Sequence, residues 1–266
     1  VPEGDTVWLV ARRLDEALSG QVLTRGELRV PRFAAADLVG REVLTTVARG
    51  KHLLTRFSGG LTLHTHLRMD GMWHLYRPGE RWRGGPDHVV RAVLATDERV
   101  AVGYRLGEVD LVATAEEDSV VGHLGPDLLD PDVDLEDAVR RLLADPHREI
   151  GVALLDQRAV AGIGTIYRSE TLFVHRLSPF TPVGQVRDLP ALLATARRLL
   201  DANKAHASQA TTGDPRRGHE HWVVGRRGRP CRRCGTPIRT ATQGPPPYDR
   251  LTTWCPTCQP APDPNR

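Results

Sequence analysis

The sequence predicts an α+β chain: a leading helix, an N-terminal antiparallel β-sandwich, and a C-terminal helical domain that ends in a four-cysteine β-hairpin. Three observations lead there. Apolar residues follow a helical period at the start, shorten to a period of two in runs between about residues 21 and 104, and return to the helical period beyond residue 134. All four cysteines fall in the last 36 of the 266 residues, as two CxxC pairs with twenty residues between them. At 40% hydrophobic residues, the chain is long enough to bury two separate cores.

Val7, Val10, Ala11, Leu14 and Leu18 line one helical face, with Asp5 as the expected N-cap and Gly20 as the stop. Strands are expected at Leu53 to Phe57, Leu61 to Leu67, Val89 to Ala95 and Arg99 to Tyr104, separated by Gly, Pro or Asp turns. The passage from Gly125-Pro126-Asp127 to Pro131-Asp132 reads as a linker. Helices are then expected at Leu135 to Leu143, Ile150 to Val160, Ile163 to Val174 and Leu189 to Leu200. The domains predicted are 1–120 (sandwich), 121–134 (linker), 135–225 (helical), 226–260 (cysteine hairpin) and 261–266 (disordered tail). There is no internal repeat.

In Cys231-Arg-Arg-Cys234 and Cys255-Pro-Thr-Cys258, each CxxC turn lets two thiolates grip one ion. The residues between the pairs suffice for a hairpin that closes a tetrahedral S4 site, so one structural Zn2+ is expected. Arg226, Arg227, Arg229, Arg232, Arg233, Arg239 and Arg250 lie in or beside this ribbon, a composition suited to phosphates. The net charge of +3 is small but segregated: Gly107 to Asp145 holds twelve acidic residues against two Arg, and Arg216 to Arg239 holds eight Arg against one Glu. One face for a polyanion follows. With no apolar run of membrane length and no charged-then-apolar leader, neither a membrane partner nor export is expected.

The lysines are Lys51 and Lys204 alone, and Lys51 sits in Arg49-Gly50-Lys51-His52, where a glycine turn opens an apolar strand. Pro2-Glu3 would begin the mature chain once residue 1 is removed. A free prolyl amine is a secondary amine that can attack an aldehyde-like carbon and form an iminium directly. The positive end of the following helix and a nearby lysine would favour its neutral form, and Glu3 could shuttle the proton.

These places occur together and in order: Pro2-Glu3-Gly4-Asp5, Arg49-Gly50-Lys51, His66-Leu67-Arg68-Met69-Asp70-Gly71, His123-Leu124-Gly125-Pro126-Asp127, Leu154-Leu155-Asp156-Gln157 with Ala161-Gly162-Ile163-Gly164, and the ribbon with Arg250 five residues before Cys255. In this the chain resembles, nearly end to end, the bacterial Fpg/Nei DNA glycosylases, specifically the endonuclease VIII-like branch. The resemblance implies a bifunctional base-excision enzyme. Pro2 matches the proline that attacks C1′ of a damaged nucleoside, and Glu3 the glutamate that moves protons as the base leaves and the sugar ring opens. The resulting iminium acidifies the 2′ proton, so β-elimination breaks the strand and δ-elimination releases the sugar. Lys51 and Arg250 match residues that hold the phosphates around the flipped nucleotide and donate protons in the eliminations.

Flipping a nucleotide leaves a hole in the duplex. Arg68, Met69 and Asp70 match the loop that fills it, Met69 being an adaptable apolar wedge. The turn at Gly162 and Gly164 resembles that of a helix-two-turns-helix, whose next helix can hold a phosphate. The expected partner is damaged double-stranded DNA, bound by a monomer in the cytoplasm of a bacterium, in association with the nucleoid.

Two positions depart from the family. Val1 stands where an initiator methionine would, and while it remains Pro2 is blocked. Thr165 stands where the family has an asparagine, so weaker phosphate clamping is expected. His219-Glu220-His221 is not a zinc-helix motif. His64 and His66 share a strand face but have no third ligand nearby in sequence, so a polar packing role and no second metal are expected. The opening tetrapeptide resembles the branch that removes oxidised pyrimidines. The alternatives are an oxidised-purine glycosylase and a non-catalytic protein that binds damaged DNA through the same ribbon and wedge.

Overall fold

The computed structural model describes residues 2–262. Two compact units divide between His123 and Leu124. Val1 and the end of the expected tail, from residue 263, lie outside the described residues.

The first unit opens with helix α1 (Gly4–Leu18), whose apolar stripe Val7, Ala11, Leu14 and Leu18 is buried. Asp5 is not its N-cap: Glu3 holds that position in extended backbone, its side chain makes no capping bond, and Asp5 lies buried in the first turn. Gly20, at φ +76°, supplies the left-handed turn that stops the helix.

Eight strands follow: β1 (Arg25–Leu28), β2 (Val43–Arg49), β3 (His52–Phe57), β4 (Leu61–His66), β5 (Met72–Tyr76), β6 (Val90–Ala95), β7 (Val100–Tyr104) and β8 (Glu108–Ala113). They form two four-stranded antiparallel sheets, ordered β1-β6-β7-β5 and β2-β3-β4-β8. The core between them takes Leu28, Trp73, Ala92, Leu94 and Ala101 from one sheet and Leu53, Phe57, Leu63 and Leu67 from the other side, with the stripe of α1. Strands β1, β2, β5 and β8 were not expected from the sequence, because they bury few of their positions and so carry a weak apolar signal. They sit at the edges of the two sheets, where fewer positions must be apolar. Short helix α2 (Asp118–Val121) closes the unit.

Helix α1 is fastened to β2 by one carboxylate. Asp15 Oδ1 accepts from Ser19 Oγ (2.7 Å), Thr45 Oγ1 (2.9 Å) and the Thr46 amide (2.6 Å). Burial raises the Asp15 pKa, but the bonds from Ser19, Thr46 and Thr45 outweigh it and hold it below the ordinary carboxylate value. An Asp15→Ala variant is expected to lose about 1–3 kcal/mol of unfolding free energy in a urea titration at neutral pH. Because the folded pKa is the lower one, this stabilisation is present above the unfolded value of about 4 and is lost as pH falls through the folded value. The gap between variant and wild type should therefore close in acid.

In the second unit α3 (Leu135–Leu143) has Asp134 as its N-cap, accepting from the Asp137 amide. Then come α4 (Ile150–Ala153), α5 (Thr165–Val174) and α6 (Leu189–Asn203), the last capped by Asp188, and the hairpin β9 (Arg239–Gln243) and β10 (Arg250–Trp254). The helix expected over Ile150 to Val160 stops at Ala153. Asp156 and Gln157 bind neighbouring backbone instead, as in Arg158 N to Asp156 Oδ1 at 3.0 Å, which favours turns over helix. Helix α5 starts at Thr165 rather than Ile163, after Gly162 at φ +100°.

The passage expected as a linker is in part core. Leu124 and Leu128 are buried, Gly125 N donates to Gln157 O and Ala161 N to Pro126 O, and Asp127 bridges to Ala161. Its Pro and Asp residues make turns as composition indicates, but its leucines fill the helical core.

Candidate active site and DNA interface

In the first unit the expected residues gather at one end of the β2-β3-β4-β8 sheet. Gly20 N donates to Val43 O and Asp15 bonds Thr45 and Thr46, so α1 runs antiparallel to β2. From Asp15 back to Glu3 the helix rises about 18 Å. From Thr46 to the end of β2 at Arg49 the strand advances about 10 Å, and the Gly50-Lys51 turn carries the chain one step further before it reverses. Pro2 and Glu3 therefore stand level with the β2–β3 turn, where Gly50, at φ +60°, presents Lys51. Glu3 is fully buried, while Pro2 and Lys51 are half-buried.

The loop after β4 lies at the same end, since His52 pairs with His66. Arg68 has φ +53°, its amide donates to His66 Nδ1 (2.9 Å), and Gly71 N closes the turn on Leu67 O (2.9 Å). A Cβ on Gly71 would stand 2.4 Å from that oxygen, so the position requires glycine. Met69 projects, 66% exposed. Arg68 pairs with Glu108 and Arg105 with Asp70.

The second unit builds its own surface. Gln157 staples the turn before α5: its Nε2 donates to Leu155 O and Ile163 O, both at 3.0 Å, and its Oε1 accepts from Gly162 N at 3.1 Å. Thr165 follows Gly164, which holds the N-cap position of α5 without a side-chain cap.

The ribbon is held by buried polar side chains. Arg168 donates to Leu251 O (2.6 Å), Gln243 to Glu149 and Pro179 O (2.8 and 2.9 Å), and Gln259 to Leu177 O (2.8 Å). Buried Glu170 accepts the amides of Trp222, Val223 and Val224 at 2.8–3.0 Å, fixing the approach to the ribbon. None of these residues was singled out in the sequence, because a polar side chain's burial is set by partners far along the chain.

The four cysteines form one cluster. Sγ atoms of Cys231 and Cys258 are 3.9 Å apart and those of Cys234 and Cys255 3.5 Å. Disulfides would bring them to about 2 Å, whereas thiolates on a shared tetrahedral ion stand about 3.8 Å apart. The cluster thus fits a metal ion. Burial pushes the Cys258 thiol up to about 12 and the Cys255 thiol upward, while bonds with Thr236 bring Cys234 down to about 6. Bound metal would replace those protons, so acid should release it.

Not all the ribbon arginines face outward as composition indicates. Arg233 stacks on Phe173 (4.2 Å) and donates to its carbonyl (2.7 Å), while Arg226 and Arg232 bind the carbonyls of Pro230, Gly218 and His221. Packing recruits them because a guanidinium can cover an aromatic face and satisfy stray carbonyls together. Arg250 remains exposed at the start of β10, opposite Gln243, and donates to Asp249 O (2.7 Å).

Comparison with known proteins agrees with this layout. The profile of the formamidopyrimidine-DNA glycosylase N-terminal domain matches residues 1–125, and that of the formamidopyrimidine-DNA glycosylase H2TH domain residues 124–210. "Probable endonuclease 8 2" of Streptomyces coelicolor is 56% identical over 99% of this chain and 96% of its own length. "DNA-(apurinic or apyrimidinic site) lyase Nei2" of Mycolicibacterium smegmatis is 43% identical over 98% of this chain and its full length, and "Endonuclease 8" of Escherichia coli 32% over 97% and its full length. Among solved structures, Lactococcus lactis Fpg bound to DNA containing an AP site has the same fold, with a TM-score of 0.82 at 24% identity over 98% of this chain and all of that one. With its N-terminal sandwich, H2TH helices and four-cysteine hairpin, the chain belongs to the Fpg/Nei family of DNA glycosylase/AP lyases, in the endonuclease VIII-like branch.

Proposed function

We propose that Pro2, freed by removal of residue 1, is the nucleophile of this glycosylase/lyase, and that its substrates are oxidised pyrimidines in double-stranded DNA. The observation that carries the reading is the convergence of the α1 start, the Gly50-Lys51 turn and the Arg68–Asp70 loop at one end of one sheet. The prolyl nitrogen forms a bond to C1′ as the glycosidic bond breaks and the base leaves with a proton. Glu3 handles that proton and the one taken up by the ring oxygen when the sugar opens. A base then takes the 2′ proton, the C–H electrons neutralise the iminium as an enamine, and their return forms the C2′=C3′ bond, restores the iminium and expels the 3′ phosphate. Glu3 is fully buried at the start of α1, next to Pro2, which keeps its carboxyl beside the prolyl nitrogen and away from bulk water.

Lys51 and Arg250 hold the phosphates around the flipped nucleotide and donate protons in the eliminations. Arg68, Met69 and Asp70 occupy the vacated stack, for which an exposed methionine on a rigid turn is suited. Thr165 holds a backbone phosphate at the start of α5, with one hydroxyl where relatives of the family use an amide. Zn2+ held by Cys231, Cys234, Cys255 and Cys258 supplies no chemistry; it keeps the hairpin folded so that Arg250 is presented. The enzyme acts as a monomer in the bacterial cytoplasm. No described helix is long and apolar enough to cross a membrane.

The test is borohydride trapping on thymine glycol, 8-oxoguanine and abasic duplexes, with the N-terminus verified by mass spectrometry. The expected result is a covalent adduct with thymine glycol and abasic DNA. Best trapping on 8-oxoguanine would reverse the substrate assignment, and no adduct despite DNA binding would overturn the Pro2 mechanism.

A further inference from the structure

The period-two alternation of β3, β4 and β8 sends Leu53, Leu63 and Leu111 to the sandwich core and leaves the opposite face mostly polar, with Leu54 and Val112 the exceptions. Register then does what no local spacing could. His52 pairs with His66, His66 with Glu108, and His64 with Asp110, so three adjacent strands deliver imidazoles and carboxylates to one patch of one face. His52 and His64 are 8% and 2% exposed, and their rings stack with Nδ1 of His52 2.8 Å from Nε2 of His64.

From this arrangement we infer that His52, His64 and Glu108 form a second metal site, separate from the four cysteines, for a borderline divalent transition-metal ion of the Zn2+ class. One ligand atom from each lies within 4.8 Å of the others. Ligand atoms sharing a tetrahedral ion stand about 3.3 Å apart, so separations that change by no more than about 1.5 Å close the site. The donor set of two imidazoles and one carboxylate suits Zn2+ and leaves a fourth position for water.

Two further features match what such a site needs. His64 turns its other nitrogen to Asp110 (Nδ1 to Oδ2, 3.4 Å), the carboxylate–histidine arrangement that fixes a ligand tautomer and aims Nε2 at the ion. Both rings are also buried and stacked on one another, with centroids 5.0 Å apart, which holds them in place for a shared ligand. The ion takes the place of the proton shared by the two rings, and His52 carries its proton on Nε2 instead. The competing group is Arg68, which pairs with Glu108 but is 61% exposed and can swing into solvent.

The site makes opposing predictions for its neighbours. Protein loaded with one equivalent of Zn2+ in the cysteine site is titrated with Co2+, reading metal stoichiometry and the visible spectrum. A second equivalent is expected, with weak bands lacking thiolate charge transfer. His64→Gln and Glu108→Gln should abolish it, Asp110→Asn should weaken it about 10–100-fold, and Arg68→Ala should tighten it several-fold by removing the competitor. Circular dichroism and retained ribbon Zn2+ establish that each variant is folded. Stoichiometry that stays at one, or a second equivalent bound equally by wild type and the folded His64→Gln and Glu108→Gln variants, would overturn the assignment.

Discussion

Protein that retains a residue ahead of Pro2 should form no borohydride-trapped adduct, and its strand cleavage should fall by at least about three orders of magnitude. A prolyl nitrogen inside a peptide bond has no lone pair to give. DNA affinity should fall far less than cleavage, because Arg250 and Thr165, proposed to hold phosphates, lie outside the first unit. A Pro2→Gly chain with a free N-terminus makes the informative contrast. Its primary amine can still condense with C1′ and lose a proton to give an imine, so a reduced but measurable adduct is expected. If the blocked chain traps as well as the free one, the nucleophile is another amine, and Lys51, level with Pro2 by the run of α1 along β2, is the first to test.

Replacing Cys255 by serine should unfold the ribbon, release its metal and abolish both DNA binding and cleavage. Cys255 is fully buried, and its amide is held by Gln259 (3.0 Å). Metal binding to structural zinc sites is worth about 10–16 kcal/mol in isolated fingers, while a two-stranded hairpin is marginal without support. Loss of one thiolate therefore removes most of what holds β9 and β10 together. Arg250→Ala tests the same hairpin without unfolding it: its exposed side chain bonds only neighbouring carbonyls among the contacts seen, at Pro247 and Asp249. Its expected phenotype is a roughly 10²-fold loss of cleavage at unchanged metal content and melting temperature. Full activity in Arg250→Ala, or a folded, metal-bound Cys255→Ser, would refute the respective assignment.

The contrast between α3 and α4 explains where sequence reading succeeds. Leu135–Leu143 is a helix over the predicted span because its apolar period and its Asp134 cap act over neighbouring residues. Ile150 to Val160 has a helical period too, yet Asp156 and Gln157 divert the backbone into turns that pay off only against Gly162 and Ile163. The interior strands were legible and the edge strands were not for a related reason: interior strands are buried along most of their length, and edge strands at few positions. The turns at Gly50, at Arg68 to Gly71 and at Gly162 were legible because their backbone demands are local.

By itself, the sequence determined the family, the α+β order of elements and the grouping of the four cysteines, and it named the positions proposed for the chemistry. All of these rest on residue identity and short spacing. Only the tertiary structure decided that α1 runs back along β2 to set Pro2 level with Lys51, that Arg233 packs on Phe173 instead of facing outward, and that Glu108 stands beside His52 and His64. The reason is that strand register and helix direction are fixed by the packing of whole faces. Residues 40 or more positions apart become neighbours through it, and no local pattern records which ones.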